Sequence, residues 1–455
     1  MVTVERHKGS VSSKDDITNL FQSLKIDESW TFDNTPRKDT SYVTHSYYRY
    51  PAKFIPQLAN RLIREYAPHE NDLVCDPFMG CGTTLVEAML LKRPSIGVDI
   101  NPSAYIATKA KTTPIKPEYL QSKVDILYKK AKSVLKDKEA VLHCPVKPKI
   151  PPFKRIDYWF TEKTKTDLGL LLALIDDEFN EDVRSFLRCG FAHVLKNCSK
   201  WLMLSVKPTI DKKKEIPDVF DTFFAHTKRM VNKNEQFWNL LQPEVRENYK
   251  SFVRVELQDC RNLPLDDGEV KAIVTSSPYV TSYEYADLHQ LTALWFEYAG
   301  TVDKLRKGFI GSAQPKDLKE ELKSEIAKSI VQEFEDKGIN GGVAKEVKTY
   351  FAEMQQAFRE FNRVLSPDGG TACFVIGNTN LKGVDILNAE VFLETCLNLN
   401  YKLVKVVKRR IPRGGKILPS TRDPTTGRFT ASDNNNLVEA YTVEYIVIVE
   451  KEGEC

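Results

Sequence analysis

Residues 71–111 read NDLVCDPFMGCGTTLVEAMLLKRPSIGVDINPSAYIATKAK. The apolar run Leu73–Cys75 predicts a buried strand, a glycine-bearing loop follows, and Thr83–Leu91 has the composition of a helix. Ser95–Val98 then reads as a second strand, followed by a turn and another helix. Strand, helix and strand in so short a span make a βαβ unit, and its crossover demands parallel strands. The expected fold class is therefore α/β with a mostly parallel central sheet. Upstream, AKFIPQLANRLIREY (52–66) spaces Phe54, Leu58, Leu62 and Ile63 along one helical face. Downstream, FVRVEL (252–257), VKAIVTS (270–276) and TACFVIGN (371–378) read as further strands. The segments YKLVKVVKRRI (401–411) and EAYTVEYIVIVEK (439–451) predict an antiparallel pair closing the sheet, so the C-terminal strand is expected to run antiparallel.

The alternation of strands and helices is broken twice. Residues 116–250 are rich in lysine and aromatics with helical periodicity, and 300–345 are charged and helical; both read as insertions. The expected organisation is a loosely ordered arm over 1–40 with a short helix at ITNLFQSLKI, then sheet-forming parts over 41–115, 251–299 and 346–455. A long helix over 344–365 should stop at Asp368-Gly369.

The chain has 455 residues, 42% of them hydrophobic, and a net charge of only +4. Global charge therefore does not announce a nucleic-acid partner; local patches must do so. No run of eighteen apolar residues occurs, and the N-terminus lacks a signal-peptide core, which points to a cytosolic protein with no membrane partner. Nine cysteines lie scattered with no C-x-x-C pair, which suits reduced thiols. The seven histidines show no metal spacing, so no metal site is expected.

Within DPFMGCGTT, Gly80 and Gly82 let the backbone turn tightly and approach a ligand, and the helix beginning at Thr83 offers unpaired amides. A lone G-x-G is a weak signal. The third glycine of the dinucleotide fingerprint is absent, since position 85 is leucine, and there is no Gly-Lys-Thr of a phosphate loop. Seventeen residues past Gly82 stands Asp99, at the end of the second strand, where nucleotide-binding folds place an acid on the ribose. A turn or N-cap aspartate is the alternative. Asp76 and Asp259 also follow predicted strands. Three acids around one glycine loop suit a cationic, nucleoside-bearing cofactor better than a phosphate. At the end of VKAIV comes TSSPY (275–279), at the sheet edge where α/β proteins carry chemistry; a Ser-Pro turn that merely ends the strand is the alternative.

Taken together these segments resemble the amino-methylating DNA methyltransferases. The likeness rests on HSYYRYPAKFIPQLANRLI (45–63), DPFMGCGTTLVEA with GVDINP, QDCRNLPLDDGEVKAIVTSSPY (258–279) and RVLSPDGGTACFVIGN (363–378), which cover under a third of the chain. The resemblance implies a Rossmann-like methyltransferase fold with helical insertions and S-adenosyl-L-methionine as cofactor. It implies that Lys53, Phe54 and Pro56 pack on the methionine part, and that Asp76, Phe78, Gly80, Gly82 and Thr83 form the methionine-binding loop. Asp99 matches the ribose-binding acid and Asp259 the residue beside the adenine. Ser276, Ser277, Pro278 and Tyr279 match the target-base tetrapeptide, written Ser-Pro-Pro-Tyr or Asp/Asn-Pro-Pro-Tyr in the family. The serine-first form is typical of cytosine-N4 enzymes. Here Ser277 replaces the first proline; the backbone carbonyl survives as an acceptor but the φ restraint is lost. Tyr279 is expected either to stack on the extruded base or to pack over the turn.

The expected function is a site-specific enzyme that methylates cytosine N4 in double-stranded DNA, as the modification partner of a restriction endonuclease. The alternatives are adenine-N6 methylation, an RNA amino-methyltransferase, and a catalytically silent DNA-binding protein that keeps the cofactor pocket. DNA contact is expected from residues 402–428, which hold nine basic residues against one acid, a local charge of +8. The residues expected there are Lys408, Arg409, Arg410, Arg413, Lys416, Arg422 and Arg428. A second basic, aromatic stretch near Trp201, Phe220, Phe223 and Phe224, inside the 116–250 insertion, is a candidate target-recognition region.

Overall fold

The computed structural model describes residues 13–33, 35–51, 53, 55–136, 146–203, 205, 207–280, 285–312, 320–339, 341–411, 421–422, 438–439 and 442–453. Its central sheet is built from β1 (Val74–Asp76), β2 (Ser95–Asp99), β3 (Val253–Leu257), β4 (Ala272–Ser276), β5 (Thr371–Ile376), β6 (Tyr401–Arg410) and β7 (Val443–Lys451). The spatial order is β3-β2-β1-β4-β5-β7-β6. Strands β1 to β5 are mutually parallel, and β7 lies antiparallel between β5 and β6. All residues of β1 and of β5 are buried. Continuous apolar strands of this kind are what a sheet covered on both faces requires.

Helices cover both faces. On one, α1 (Pro56–Tyr66) buries Leu58, Leu62 and Ile63 against Val74, Val274 and Val375. It is joined by α2 (Thr83–Leu90), which follows the glycine loop, while α3 (Pro102–Lys111) follows β2. On the other, α4 (Gly341–Val364) and α5 (Asn388–Leu397) pack Phe358, Phe361 and Phe392 against Phe374. Gly369 sits at φ +71° in the turn beyond α4, where the sequence predicts the stop.

Residues 13–33 are not a loose arm. Ser13 and Asp16 cap each other at the start of helix Lys14–Ser23, and Ile17 and Phe21 are buried, with the Phe21 ring 5.1 Å from that of Tyr445. Trp30 is buried too, under the guanidinium of Arg61 at 3.5 Å. So short a helix buries too few apolar positions to announce its docking from sequence. The helices Pro117–Lys136, Glu162–Asp176, Glu181–Leu195 and Val219–Leu240 bury a core of their own, in which Trp159 and Trp201 stack at 5.0 Å. That core is continuous with Tyr47, Tyr48, Tyr50 and Cys81 beside the glycine loop. No helix among the described residues is long and apolar enough to cross a membrane.

Strand order reverses between β1 and β4, since the chain runs outward from β1 to β3 and then returns to start β4 on the other side. The loops after these two strands diverge there and leave a crevice at the carboxyl edge of the sheet.

Candidate active site

The glycine loop between β1 and α2 owes its shape to two left-handed residues, Gly80 at φ +49° and Gly82 at φ +73°. A Cβ on Gly80 would lie 3.2 Å from the Tyr50 ring, and one on Gly82 only 2.6 Å from Cγ2 of Thr108. Helix α3 pins the loop from behind: Thr108 Oγ1 donates to the Gly80 carbonyl at 3.0 Å and Lys111 Nζ to the Cys81 carbonyl at 2.9 Å. From the front, the amide of Gly80 donates to Oδ2 of Asp99 at 2.9 Å. Oδ1 of Asp99 accepts from the Asn101 amide at 2.8 Å, and Asn101 itself is the N-cap of α3, its side chain accepting from the Ser103 amide. Burial raises the Asp99 carboxyl to about 7, against the lowering effect of those two amides.

Asp76 lies beneath the loop rather than in the crevice. It is buried, accepting from Thr275 Oγ1 at 2.7 Å and from the Phe78 amide at 3.2 Å, and burial raises it to about 6. It ties the end of β1 to the end of β4. Pro56 opens α1 and is buried there, outside the cavity lining. Phe54 lies outside the described residues.

TSSPY serves both as a turn and as a wall. Ser276 ends β4, and the Pro278 carbonyl accepts from Tyr350 Oη at 2.7 Å, which fixes the turn. The Tyr279 ring lies against Gly377 just beyond β5, where a Cβ would come within 3.3 Å of it. A single cavity is lined by Lys53, Phe78, Gly80, Thr83, Asp99 and Asp259 from one side and by Ser276, Ser277 and Pro278 from the other. Thus the glycine loop, Asp99, Asp259 and the serine turn meet, while Asp76, Pro56, Gly82 and Tyr279 support them from outside the lining. Lys53 Nζ donates to the His45 carbonyl at 3.0 Å. His45 in turn meets Glu87 of α2 at 2.7 Å through Nε2; burial lowers this imidazole to about 4, so it is neutral and donates to the carboxylate.

Other lining residues extend the site. Tyr50, within the 45–63 segment, stacks on His289 at 4.5 Å; Tyr285, which with Tyr283 is a further stacking candidate from the sequence, also lines the cavity; Gly308, Phe309 and Ile310 come from the 300–345 insertion. The one hint of these last three is Gly308-Phe-Ile-Gly311, two apolar residues between glycines in a charged segment.

The basic stretch needs a correction. Arg409 is 1% exposed and cannot reach DNA; its guanidinium lies 3.4 Å from Glu444 and faces the Thr31 carbonyl. The register of β6 against β7 turns it inward, and strand periodicity in a basic run does not show that. Arg410 pairs with Glu28 at 3.1 Å, and Lys408 stands over the Tyr445 ring. Arg413, Lys416 and Arg428 lie outside the described residues, and of Arg422 only the backbone is described, in a short pairing of Thr421–Arg422 with Val438–Glu439. In the second basic region Trp201, Phe220 and Phe223 are core residues, and Lys214 Nζ donates to the carbonyls of Lys196, Ser199 and Trp201.

Comparison with known proteins points to DNA methyltransferases. The signature of the N6/N4 methylase family, described as DNA methylase, matches residues 4–110. Type II methyltransferase M.MvaI of Kocuria varians is 28% identical over 89% of this chain and 91% of its own. Type II methyltransferase M.BsoBI of Geobacillus stearothermophilus is 24% identical over 86% and 85%. Among solved structures, a Thermus thermophilus protein described as a DNA modification methylase, complexed with S-adenosyl-L-methionine, matches 25% of this chain and 41% of its own. Its identity is 18% and its TM-score 0.17, an overlap too small to bear on the fold. The signature and both relatives support an amino-methylating DNA methyltransferase of the N4/N6 family.

Proposed function

We propose that this methyltransferase transfers the methyl group of S-adenosyl-L-methionine to N4 of a cytosine extruded from duplex DNA, as the modification enzyme of a Type II restriction-modification system. The observation that supports it is the single cavity shared by the glycine loop, Asp99 and Asp259, and the Ser276–Pro278 turn. The serine-first turn favours cytosine N4 over adenine N6, and the Type II relatives favour the restriction-modification setting.

The residues present fit this cofactor. Asp99 and Asp259 offer carboxylates to a cavity also walled by apolar Phe78 and Ile100, which suits a cation bearing ribose hydroxyls and a flat base. A Gly80 Cβ would crowd Tyr50, so the loop can approach a ligand closely only as glycine. Bound there, S-adenosyl-L-methionine supplies an electrophilic sulfonium methyl. Asp99 would accept the ribose hydroxyls, and its carboxylate would favour the positive charge. At the other end, the Ser276 hydroxyl and the backbone carbonyl of Ser277 accept the two N–H bonds of the target amine. That amine is a poor nucleophile because its lone pair is delocalised into the ring. Holding both N–H bonds fixes the nitrogen in line with the methyl and shifts electron density towards it, so positioning is the main contribution. No covalent intermediate is required, and none of the cysteines is assigned one.

Residues 411 and 442 are joined by a hydrogen bond of 3.0 Å at the carboxyl edge of the sheet, level with the end of β5. The basic chain between them, with Arg413, Lys416, Arg422 and Arg428, therefore starts and ends at the same edge of the sheet as the cavity and is the segment proposed to hold the duplex.

Incubation with labelled cofactor and mixed-sequence duplex DNA, followed by digestion to nucleosides, should give labelled N4-methylcytosine. Labelled N6-methyladenine would move the target to adenine; preferential labelling of tRNA would move the substrate to RNA; no labelled nucleoside would reject the assignment. Ser276→Ala should lower the transfer rate by about a hundredfold or more, the scale of losing one oriented hydrogen-bonding group.

A further inference from the structure

We infer that Gly308–Gly311, from the second insertion, forms a cover over the nucleoside end of the cofactor cavity, and that Arg261 is the positioning residue that sets this cover against Asp259. The inference rests on the reading of the cavity as the S-adenosyl-L-methionine site. Phe309 and Ile310 line the cavity, and each is followed or preceded by a glycine in a left-handed conformation, Gly308 at φ +100° and Gly311 at φ +74°. At Gly308 a Cβ would lie 2.6 Å from Cδ1 of Ile100, the residue after Asp99. At Gly311 it would lie 3.2 Å from the Tyr350 ring and 3.6 Å from the Tyr279 carbonyl. The four residues thus reach from the ribose-side acid to the serine turn.

One guanidinium holds this cover. Arg261 Nε donates to Oδ1 and Oδ2 of Asp259 at 2.9 and 3.1 Å, and Nη2 to Oδ2 at 2.5 Å. Nη2 also donates to the Gly308 carbonyl at 3.1 Å, and Nη1 to Oε1 of Glu353 at 2.9 Å. The other oxygen of Glu353 accepts from the Gly311 amide at 3.4 Å. Both ends of the cover are therefore tied through one Asp–Arg–Glu triad, and its first member lines the cavity. A planar guanidinium suits this task because its five donors have fixed directions, which lysine cannot reproduce. By balancing the charge of Asp259, Arg261 leaves a carboxylate suited to accept from a neutral exocyclic amine. The entry to the cover is anchored separately, by Arg306 on Asp287 at 2.8 and 3.0 Å. A flat base against the apolar Phe309 and Phe78, with its amine towards Asp259, would meet these demands, and a ligand with a carbonyl in place of the amine would not.

The test uses the full-length protein and calorimetry with S-adenosylhomocysteine and its deaminated inosyl counterpart. Wild type should prefer the adenosyl form. Arg261→Gln should weaken adenosyl binding by about tenfold or more and narrow the preference, and raise KM for the cofactor more than it lowers kcat. Phe309→Ala should weaken both ligands, with the preference kept. Unchanged affinities in both variants would overturn the cover. A merely structural role for Arg261 would instead show as a lowered melting temperature with the preference intact, which also overturns it. If Arg261→Gln does not fold, Phe309→Ala decides alone. Failure of wild type to bind either ligand would reject the cofactor assignment itself.

Discussion

Two side chains in the cavity make opposite demands on the protein. Asp99 is half-buried, and its carboxyl titrates near 7 because burial disfavours the charged form. Between about pH 4 and 7 the folded protein holds this proton more tightly than the unfolded chain does, so ionising Asp99 weakens the fold as pH rises. Ribose hydroxyls donating to the carboxylate reverse that preference. Affinity for S-adenosylhomocysteine should therefore increase from pH 6 to pH 8, with proton release on binding below about 7, and Asp99→Asn should flatten the profile. Calorimetry in buffers of different ionisation enthalpy reads both; a profile that stays steep in Asp99→Asn would assign the proton elsewhere, with Asp76 the next carboxylate to substitute. Ser277 is different: it is 2% exposed, and its hydroxyl has no hydrogen-bond partner among the described residues. A buried hydroxyl without a partner costs about 1–3 kcal/mol, so Ser277→Ala should raise the melting temperature of the ligand-free protein. A fall would show that the hydroxyl is paired in solution. Both residues are legible in the sequence as motif positions, but their energetics are not, because burial is set by segments far away in the chain.

Among the elements, α2 does more than follow the glycine loop. Its Glu87 is fully buried and accepts from Tyr42, from His45 at 2.7 Å and from Asn60 of α1 at 2.9 Å. One carboxylate therefore joins α2, α1 and the segment that carries Lys53. Glu87→Ala leaves the buried His45 donor and the part-buried Tyr42 and Asn60 donors unmatched and should cost about 1–3 kcal/mol for each one that water cannot reach. Thermal melting should show the loss, and cofactor affinity should fall with it because Lys53 is held by the His45 carbonyl. A variant that melts like wild type would disprove the joint. The strands and this helix are readable from sequence because each is buried on a regular period and punctuated by glycine or proline. The cover at 308–311 is not, since its apolar residues face a ligand cavity instead of a repeating neighbour. The inward turn of Arg409 escapes for a related reason: its partner Glu444 is on β7, and only the register of β6 with β7 brings them together.

For the whole molecule, the parallel βαβ unit and the closing antiparallel pair are visible in the chain, but the order of the strands across the sheet is seen only in the fold. How the helical insertion meets the site is visible only in three dimensions, where Tyr47, Tyr48 and Tyr50 run its core up to the glycine loop. The duplex is proposed to lie against the basic chain between β6 and β7. Replacing Arg413, Lys416, Arg422 and Arg428 with glutamine should weaken DNA binding at low salt. The slope of log affinity against log salt should become shallower by about 0.9 for each phosphate that the variant no longer neutralises. Filter binding across a salt series, with cofactor affinity as the control, checks this; an unchanged slope would place the DNA on another surface. Those residues are rooted in an arrangement with a further consequence. Because β7 sits between β5 and β6, the excursion leaves one strand and re-enters its immediate neighbour, closed at its base by Ile411 and Thr442. In general, closing a flexible chain between two near points costs only about 0.6 kcal/mol more for each doubling of its length. The length and charge of that connection can therefore vary without moving the strands that carry the cavity.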